Sequence, residues 1–329
     1  KAGYNFGSKG IGLVRTEHMF FGPERLIEMR RFILASNHDE RVQALEKIKT
    51  YQIEDFETIF RLSQDRPTIV RLLDPPLHEF LPSSEEDINN VSQQLNVSSE
   101  FLRKRIVDLN EVNPMLGHRG CRLAVTYPEL YEMQVEAIIE SVIKLQKEGI
   151  TCLPEIMIPL VSTVEEFTTL KERLVNTITH LEKESQQDIQ YMIGTMIETP
   201  RACLIANDLA KHCDFFSFGT NDLTQLTFGF SRDDAGKFIN VYTENNILQL
   251  DPFQTLDREG VGRLIQLAVE QAKNTNPEIK IGVCGELGGD AKSIRKFNQW
   301  EIDYVSCSPF RVPGAILATA QSQAEESER

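Results

Sequence analysis

Seven short apolar runs, most of them followed by a segment with helical periodicity, constrain the fold of this chain most strongly. Most of the runs are continuously apolar rather than alternating, which is typical of parallel strands covered on both faces. The runs are residues 10–15, 68–74, 155–160, 191–198, 215–222, 280–286 and 303–308. In one of the intervening helical segments, Thr163 and Glu166 predict a capping box. Strand–helix alternation of this kind predicts a parallel α/β fold.

Polar side chains at the carboxyl ends of the runs favour a TIM-type (β/α)8 barrel over an open doubly wound sheet. Arg71, Glu198, Asp222 and Cys284 all stand at or near such an end. In a barrel these ends converge on one face, where the active site lies. A barrel of this type needs eight strands and seven are visible, so we expect the first strand to lie upstream of Lys1.

The chain reads as one domain over residues 1–329, with no low-complexity linker inside it. Residues 83–113 are polar with a helical pattern and predict an inserted pair of helices. Residues 228–253 form a long polar stretch, which is typical of a functional or mobile loop. We expect the charged tail, residues 322–329, to be frayed and solvated.

Charge and cysteine usage exclude several classes of partner. The net charge is −14, from 35 Lys and Arg against 49 Asp and Glu, and such a field repels nucleic acid and anionic membrane surfaces. No run is long and apolar enough to span a bilayer. The six cysteines are scattered without a Cys-x-x-Cys pair, which argues against zinc sites and a disulfide framework and predicts a cytoplasmic location.

Glu198 and Asp222 are candidate metal ligands. Each ends a buried apolar run, on strands that are neighbours in sequence order. Adjacent parallel strands lie about 5 Å apart, so two carboxylates at their ends could share one hard cation. Mg²⁺ is the ion that typically takes one or two carboxylates together with substrate oxygens. The alternative is that each acid caps the helix that follows it.

Arg71 and Arg119 are candidate anion-binding residues. Arg71 lies inside an apolar run and needs an anion, which is either Asp74 or a ligand. Arg119 lies in a turn bracketed by glycines, and planar guanidinium groups suit phosphate and carboxylate. The alternative is structural ion pairing with the surplus acids. Arg15 and Arg232 are weaker candidates of the same kind, and Arg15 could instead pair with Glu17.

Two small-residue segments complete the candidate site. The backbone N–H groups of Gly219, Thr220 and Asn221, followed by Asp222, could hold a carboxylate at a helix start. Cys284 is flanked by glycines at a strand end, and a thiol with a suitable pKa can donate or accept a proton at carbon. The alternative is that Cys284 is simply a small buried apolar residue.

Six segments of the chain form a recognisable set of motifs: RTEHMFF (15–21), RLLDPPLHEFLP (71–82), NPMLGHRGCRL (113–123), GTMIETPRA (194–202), FSFGTNDLTQLTFGFSRDD (216–234) and GVCGELGGD (282–290). Together they resemble the C-terminal domain of the phosphoenolpyruvate-utilising enzymes. The segments LDPPLHEF and GHRGCRL resemble the dikinases of this family rather than the synthases. The resemblance covers essentially the whole chain.

The resemblance implies a TIM-type barrel that binds phosphoenolpyruvate and pyruvate, and it gives each candidate a role. Arg71 and Arg119 would clamp the phosphoryl group. Glu198 and Asp222 would hold Mg²⁺. The remaining substrate contacts would come from Gly219, Thr220, Asn221 and Arg232. Cys284 would protonate the enolate of pyruvate at its methylene carbon.

The resemblance also implies partners outside this chain. The family's full proteins carry a nucleotide-binding domain and a domain with a phosphorylated histidine, and the motifs of both are absent here. Phosphoryl transfer would run between phosphoenolpyruvate and that histidine, in a homodimer formed through this domain. Two alternatives stay open, namely a binding and dimerisation module without turnover, and the equivalent domain of phosphoenolpyruvate synthase.

Overall fold

The computed structural model describes residues 1–327 and forms one sheet of seven parallel strands. The strands pair in sequence order, each with the next. They are β1 (Ile11–Arg15), β2 (Pro67–Arg71), β3 (Leu153–Ile158), β4 (Met192–Ile197), β5 (Phe215–Gly219), β6 (Lys280–Cys284) and β7 (Tyr304–Val305). The sheet curls into a nearly closed barrel, which confirms the predicted TIM-type α/β fold.

Helices cover the outside of the sheet. They are α1 (Ala2–Asn5), α2 (Pro23–Leu34), α3 (His38–Ser63), α4 (Glu85–Leu95), α5 (Ser99–Leu109), α6 (Cys121–Thr126), α7 (Pro128–Lys147), α8 (Val164–Ser185), α9 (Pro200–Leu204), α10 (Ala206–Ala210), α11 (Thr220–Phe228), α12 (Ile239–Glu244), α13 (Val261–Thr275), α14 (Ala291–Gln299) and α15 (Val312–Ser327). The capping box predicted from Thr163 and Glu166 starts α8. Within residues 1–327 no helix is long and apolar enough to cross a membrane.

The strands contribute to two hydrophobic cores, one inside the barrel and one between the strands and the helices. The inner core is small and consists of side chains from alternate strand positions that point into the barrel: Ile69, Met157, Met196, Phe215 and Cys284. The outer core is far larger and contains the apolar faces of helices such as α3 and α7, which pack on each other. Burial on both faces explains why the strands are continuously apolar in sequence.

The barrel is open between its two edge strands. Within the described residues no hydrogen-bonded pairing joins β7 to β1. The edges nevertheless approach each other, since a Cβ atom at Gly12 would lie 2.5 Å from Cβ of Ser306. A cleft of about 600 Å³ lies between the edges, and Gly12, Tyr304 and Ser306 are among the residues that line it. An eighth strand upstream of Lys1 stays a prediction.

The structure moves one predicted strand boundary that matters for the site. The sequence predicts an apolar run that ends at Asp222, whereas β5 ends at Gly219 and α11 begins at Thr220. Asp222 is therefore the third residue of a helix, where its negative charge is favourable beside the helix N-terminus.

Three further segments, residues 83–113, 228–253 and 322–329, can be compared with what the sequence predicts for them. Residues 83–113, predicted as an inserted helical pair, contain α4 and α5. Residues 228–253 contain α12 and a small apolar core of their own, built on Ala235, Ile239 and Phe253. The last helix, α15, includes residues 322–327 of the tail predicted to be frayed. The final two residues of that tail lie outside the described residues.

Candidate active site

Arg15 and Arg71 end the first two strands side by side. They are register partners at the carboxyl ends of β1 and β2. Arg71 is buried, and its Nη2 and Nη1 atoms lie 2.6 Å from Glu17 Oε1 and 3.0 Å from Asp74 Oδ2. Burial lowers the pKa of Arg71, but the carboxylates of Asp74 and Glu17 outweigh it and raise that pKa above its ordinary value.

Arg15 keeps a free guanidinium. Its side chain is exposed, and it forms no ion pair with any residue from 1 to 325. The sequence left open a pair between Arg15 and Glu17, but Glu17 binds Arg71 instead. Arg15 still lies close enough to the buried site for its charge to lower the pKa of Asp74. Among the arginines at the barrel mouth, it is available for a ligand.

Arg119 is buried and fully engaged with two acids. Its Nε and Nη2 atoms donate to the two oxygens of Asp74 at 3.2 and 2.6 Å, and its Nη1 donates to Asp222 at 3.0 Å. The neighbouring Gly120 has φ +57°, and its N–H donates to the carbonyl of Asp74 at 2.8 Å. A residue with a side chain rarely adopts that backbone conformation, so the glycine allows the turn that aims Arg119.

Asp74 joins the two buried arginines. Burial raises the pKa of its carboxyl, but Arg71 and Arg119 outweigh burial and hold that pKa below its ordinary value. The carboxylate is therefore charged at neutral pH and fixes both guanidinium groups in place. The sequence offered Asp74 as one possible partner of Arg71, and the structure places it between both arginines.

Glu198 follows β4 directly and is completely buried. Its Oε1 accepts a hydrogen bond of 2.7 Å from the backbone N–H of Leu160. Its Oε2 has no hydrogen-bond partner among the described residues. Burial, with the nearby carboxylates of Asp222 and Asp74, raises the pKa of Glu198 well above its ordinary value. A buried acid in this setting is costly to ionise unless a cation is bound.

Glu198 and Asp222 fit a divalent cation. The unpartnered Oε2 of Glu198 lies beside the end of β5, where a Cβ atom at Gly219 would come within 2.5 Å of it. Within residues 1–327 no group of three or more His, Cys, Asp or Glu side chains could hold a metal. Two carboxylates alone suit Mg²⁺, which keeps several waters or substrate oxygens as its other ligands.

Gly219, Thr220 and Asn221 form the turn from β5 into α11. The absence of a side chain at Gly219 makes room for Glu198. The hydroxyl of Thr220 is buried and donates to the carbonyl of Cys284 at 3.0 Å. Asn221 lies close to Gly285, since a Cβ atom there would come within 3.3 Å of Asn221 Oδ1. The turn is therefore tied to the end of β6.

Cys284 ends β6 as the register partner of Gly219. Its side chain is buried, and its Sγ donates weakly to the carbonyl of Phe218 at 3.5 Å. Burial and the nearby Glu198 raise the pKa of the thiol to about 11, although Ser217 and Arg71 act in the opposite direction. The group is thus a neutral thiol at physiological pH, which is the form that can donate a proton.

Ser217 and Tyr304 lie near this thiol, and the sequence analysis did not select them. Both are register partners of Gly282, from the two sides of β6. The Tyr304 ring covers Gly282, where a Cβ atom would come within 1.9 Å of Cζ. The Ser217 hydroxyl lies close enough to the Cys284 thiol and the Tyr304 hydroxyl to lower the pKa of each, against the opposite effect of burial. Both could have been selected from the sequence, because each is a hydroxyl-bearing residue at an inward-facing position of an apolar strand.

Arg232 lies apart from the arginine cluster. Its backbone N–H donates to Oε1 of Gln225 at 2.8 Å, and its side chain is exposed. It lines a cavity of about 810 Å³ together with Arg311, Glu286 and Asp290. The structure therefore groups Arg232 with this cavity, whereas ion pairs through Asp74 join Arg71, Arg119 and Asp222 at the carboxyl ends of the strands. Glu198 lies close enough for its charge to raise the pKa of both arginines.

A profile of the PEP-utilising enzymes, described as their PEP-binding domain, matches residues 1–324. The chain belongs to this family. Among curated proteins it is 50% identical over 317 residues to chloroplastic pyruvate, phosphate dikinase 1 of Arabidopsis thaliana. It is 48% identical over 317 residues to the pyruvate, phosphate dikinase of Clostridium symbiosum.

The chain matches only part of these relatives. The alignments cover 96% of this chain in both cases, but 33% of the Arabidopsis protein and 36% of the Clostridium protein. The pyruvate, phosphate dikinase of Rickettsia bellii gives the same picture, with 49% identity over 97% of this chain and 36% of the relative. The chain thus spans about a third of the length of these curated relatives, and the predicted likeness to the dikinases is confirmed.

Proposed function

We propose that this chain carries out the phosphoenolpyruvate and pyruvate half-reaction of a pyruvate, phosphate dikinase. In that reaction the phosphoryl group moves between phosphoenolpyruvate and a histidine on a separate domain, and the enolate left behind is protonated to pyruvate. The observation that carries the proposal is the buried network at the barrel mouth. In it, Arg119 links the candidate metal ligand Asp222 to Asp74, which in turn binds Arg71.

The arginines would bind the phosphoryl group. Arg71 has one guanidinium nitrogen, Nε, that is buried without a partner among the described residues. Arg15 stands beside it with no ion pair in the part of the chain that is described. We therefore add Arg15 to Arg71 as a direct phosphate ligand. Arg119, already bound to two acids, would support the pair through Asp74 and Asp222.

Glu198 and Asp222 would hold Mg²⁺. The bound ion would neutralise the negative charge on the substrate's oxygens. The turn at Gly219, Thr220 and Asn221 would receive the carboxylate and enolate end of the substrate. Arg232 would add a substrate contact from the segment 228–253. These roles follow the family resemblance. They are supported by the placement of Glu198, Asp222 and the turn from Gly219 to Asn221 at the carboxyl ends of β4 and β5.

Cys284 would protonate the enolate. When the phosphorus–oxygen bond of phosphoenolpyruvate breaks, the electron pair stays on oxygen and the phosphoryl group goes to the histidine. The methylene carbon then takes the proton of the Cys284 thiol, and the resulting thiolate regains a proton from water. The pKa of about 11 supports this role because it keeps the proton on sulfur until the enolate forms.

An assay with a separate phosphohistidine domain tests this function. The chain is mixed with phosphoenolpyruvate, Mg²⁺ and that domain, and pyruvate and phosphohistidine are measured. We expect equal amounts of both products when the domain is present, and none when it is omitted. Binding of substrate without either product would favour the alternative of a binding and dimerisation module.

The equivalent domain of phosphoenolpyruvate synthase is a second alternative, because that enzyme shares this half-reaction. The sequence identity of about 50% to pyruvate, phosphate dikinases supports the assignment to a dikinase over a synthase. The homodimer implied by the resemblance stays a prediction, and light scattering of the purified chain measures it. The cytoplasmic location stays a prediction as well.

A further inference from the structure

Leu160 holds an unusual backbone conformation beside the candidate metal site. It follows β3 with φ +63°, a left-handed value that a non-glycine residue rarely adopts. The side chain of Leu160 is nonetheless buried and packs in the outer core. A strained backbone of this kind persists only where its surroundings hold it, and such residues concentrate at functional sites.

The surroundings of Leu160 hold its peptide from the Arg119 side. The backbone N–H of Cys121 donates to the carbonyl of Pro159 at 3.2 Å, and Cys121 Sγ donates to the carbonyl of Leu160 at 3.3 Å. Gly120 packs directly against the leucine, since a Cβ atom at Gly120 would come within 2.9 Å of Leu160 Cβ. The turn that aims Arg119 therefore also fixes the turn after β3.

This backbone conformation points the N–H of Leu160 at the carboxyl group of Glu198. The hydrogen bond from Leu160 N to Glu198 Oε1 is 2.7 Å long and is the one hydrogen bond that Glu198 accepts within residues 1–327. The other oxygen, Oε2, stays without a partner beside Gly219. A carboxylate with one oxygen fixed and the other free is oriented for a ligand on the free side.

We propose that Leu160 is a positioning residue for Glu198, whose backbone N–H fixes Oε1 and leaves Oε2 aimed at the divalent cation. The inference rests on the proposed metal site at Glu198 and Asp222. Partners of this kind, which orient a metal-binding carboxylate, typically affect metal affinity strongly. Leu160 itself touches neither the substrate nor the metal in this account.

Replacement of the Leu160 amide by an ester tests the inference directly. Incorporation of the α-hydroxy analogue of leucine at position 160 removes the N–H and keeps the side chain. The readout is the affinity of the substrate-free chain for Mn²⁺, measured from the electron paramagnetic resonance signal of free Mn²⁺. We expect the Mn²⁺ dissociation constant to rise about 10-fold or more.

The matched control is the same ester at Leu256. The N–H of Leu256 is also buried and donates to a side-chain oxygen, Ser293 Oγ, at 3.0 Å, outside the candidate site. Both esters remove one buried hydrogen bond, so both should lower the free energy of unfolding. Only the Leu160 ester should weaken Mn²⁺ binding. Equal weakening by the Leu256 ester would overturn the inference.

Two side-chain variants give a second test that does not depend on esters. Leu160→Val puts a β-branched residue at a positive φ, which it tolerates poorly, and should weaken Mn²⁺ binding. Leu160→Met keeps an unbranched Cβ and nearly the same volume, and should bind Mn²⁺ like the original chain. Indistinguishable affinities for all variants would overturn the role of Leu160. Absence of Mn²⁺ binding in the unmodified chain would instead overturn the proposed metal site itself.

Discussion

Arg119 Nη1 lies 3.0 Å from Asp222 Oδ1, although 103 residues separate the two in sequence. This contact joins the arginine cluster at the start of the chain to the candidate metal ligands after β4 and β5. A change at either end should therefore affect the other.

Arg15 and Arg119 should respond differently to loss of charge. Arg15→Met should weaken phosphoenolpyruvate binding in the presence of Mg²⁺ about 10- to 100-fold, because it removes charged hydrogen-bond donors to the phosphoryl group. It should leave the free energy of unfolding unchanged, since Arg15 has no ion pair in the described chain. Arg119→Met should lower both, because it leaves Asp74 without its bidentate partner. Calorimetry and urea unfolding measure the two quantities, and equal stability of both variants would contradict the assignment.

Asp74→Asn should destabilise the fold by about 3 kcal/mol, because it leaves two buried guanidinium groups without their shared anion. Asp55→Asn, which breaks a partly exposed pair with Arg25, is the control and should cost about 1 kcal/mol or less. Urea unfolding at pH 7 measures both. A loss no larger than that of the control would show that Asp74 does not anchor the arginines.

The stabilisation by Asp74 should also depend on pH. The two arginines, against the opposing effect of burial, hold the pKa of Asp74 below its ordinary value. The ionised carboxylate therefore stabilises the fold above the ordinary pKa of an aspartate, and this stabilisation is lost as the pH falls through the lowered pKa. The difference in unfolding free energy between the original chain and Asp74→Asn should shrink as the pH falls below about 4.

Glu198→Gln should stabilise the metal-free chain at pH 7. Burial and the neighbouring carboxylates raise the pKa of Glu198, so the fold bears a cost at any pH above the ordinary pKa of a glutamate. Glutamine carries no charge and avoids this cost. Urea unfolding in EDTA should show the gain, which should disappear below about pH 4, where both side chains are neutral. Added Mg²⁺ should stabilise the original chain and not the variant.

Cys284 should control proton exchange at the methyl group of pyruvate. In heavy water with Mg²⁺, the chain should exchange the methyl protons of pyruvate at a rate that rises about tenfold per pH unit from pH 7 to 10. The reason is that the fraction of thiolate, the base in this direction, rises in that way below a pKa of about 11. Proton nuclear magnetic resonance follows the exchange. Cys284→Ala should exchange no faster than a protein-free control while it still binds oxalate, and full exchange by that variant would remove Cys284 from the mechanism.

Much of the fold was predictable because parallel strands carry a simple signal. Burial on both faces makes each strand a continuous apolar run, and all seven runs coincide with strands of the sheet. The capping box at Thr163 was equally local. The strand β5 is shorter than the predicted run, which extended to Asp222, and α11 begins at Thr220, within the small-residue segment that the sequence placed at a helix start.

The candidate site was predictable only in its composition. Arg71, Glu198 and Asp222 could be identified because they are charged residues at the ends of apolar runs. A charged group in such a place needs a partner or a ligand. Which acid each arginine binds depends on distant loops, and the sequence could not show that Glu17 binds Arg71 rather than Arg15. The positive φ of Leu160 left no signal, because leucine has no preference for that conformation.

Calorimetric titration of the chain with oxalate, an analogue of the pyruvate enolate, tests the central claim most directly. The claim is that Glu198 and Asp222 bind a divalent cation that the substrate's oxygens complete. We predict that oxalate binds the original chain when Mg²⁺ is present and does not bind it in EDTA, and that Glu198→Gln abolishes the binding seen with Mg²⁺. Binding of oxalate with equal affinity in the presence and absence of Mg²⁺ would contradict the account.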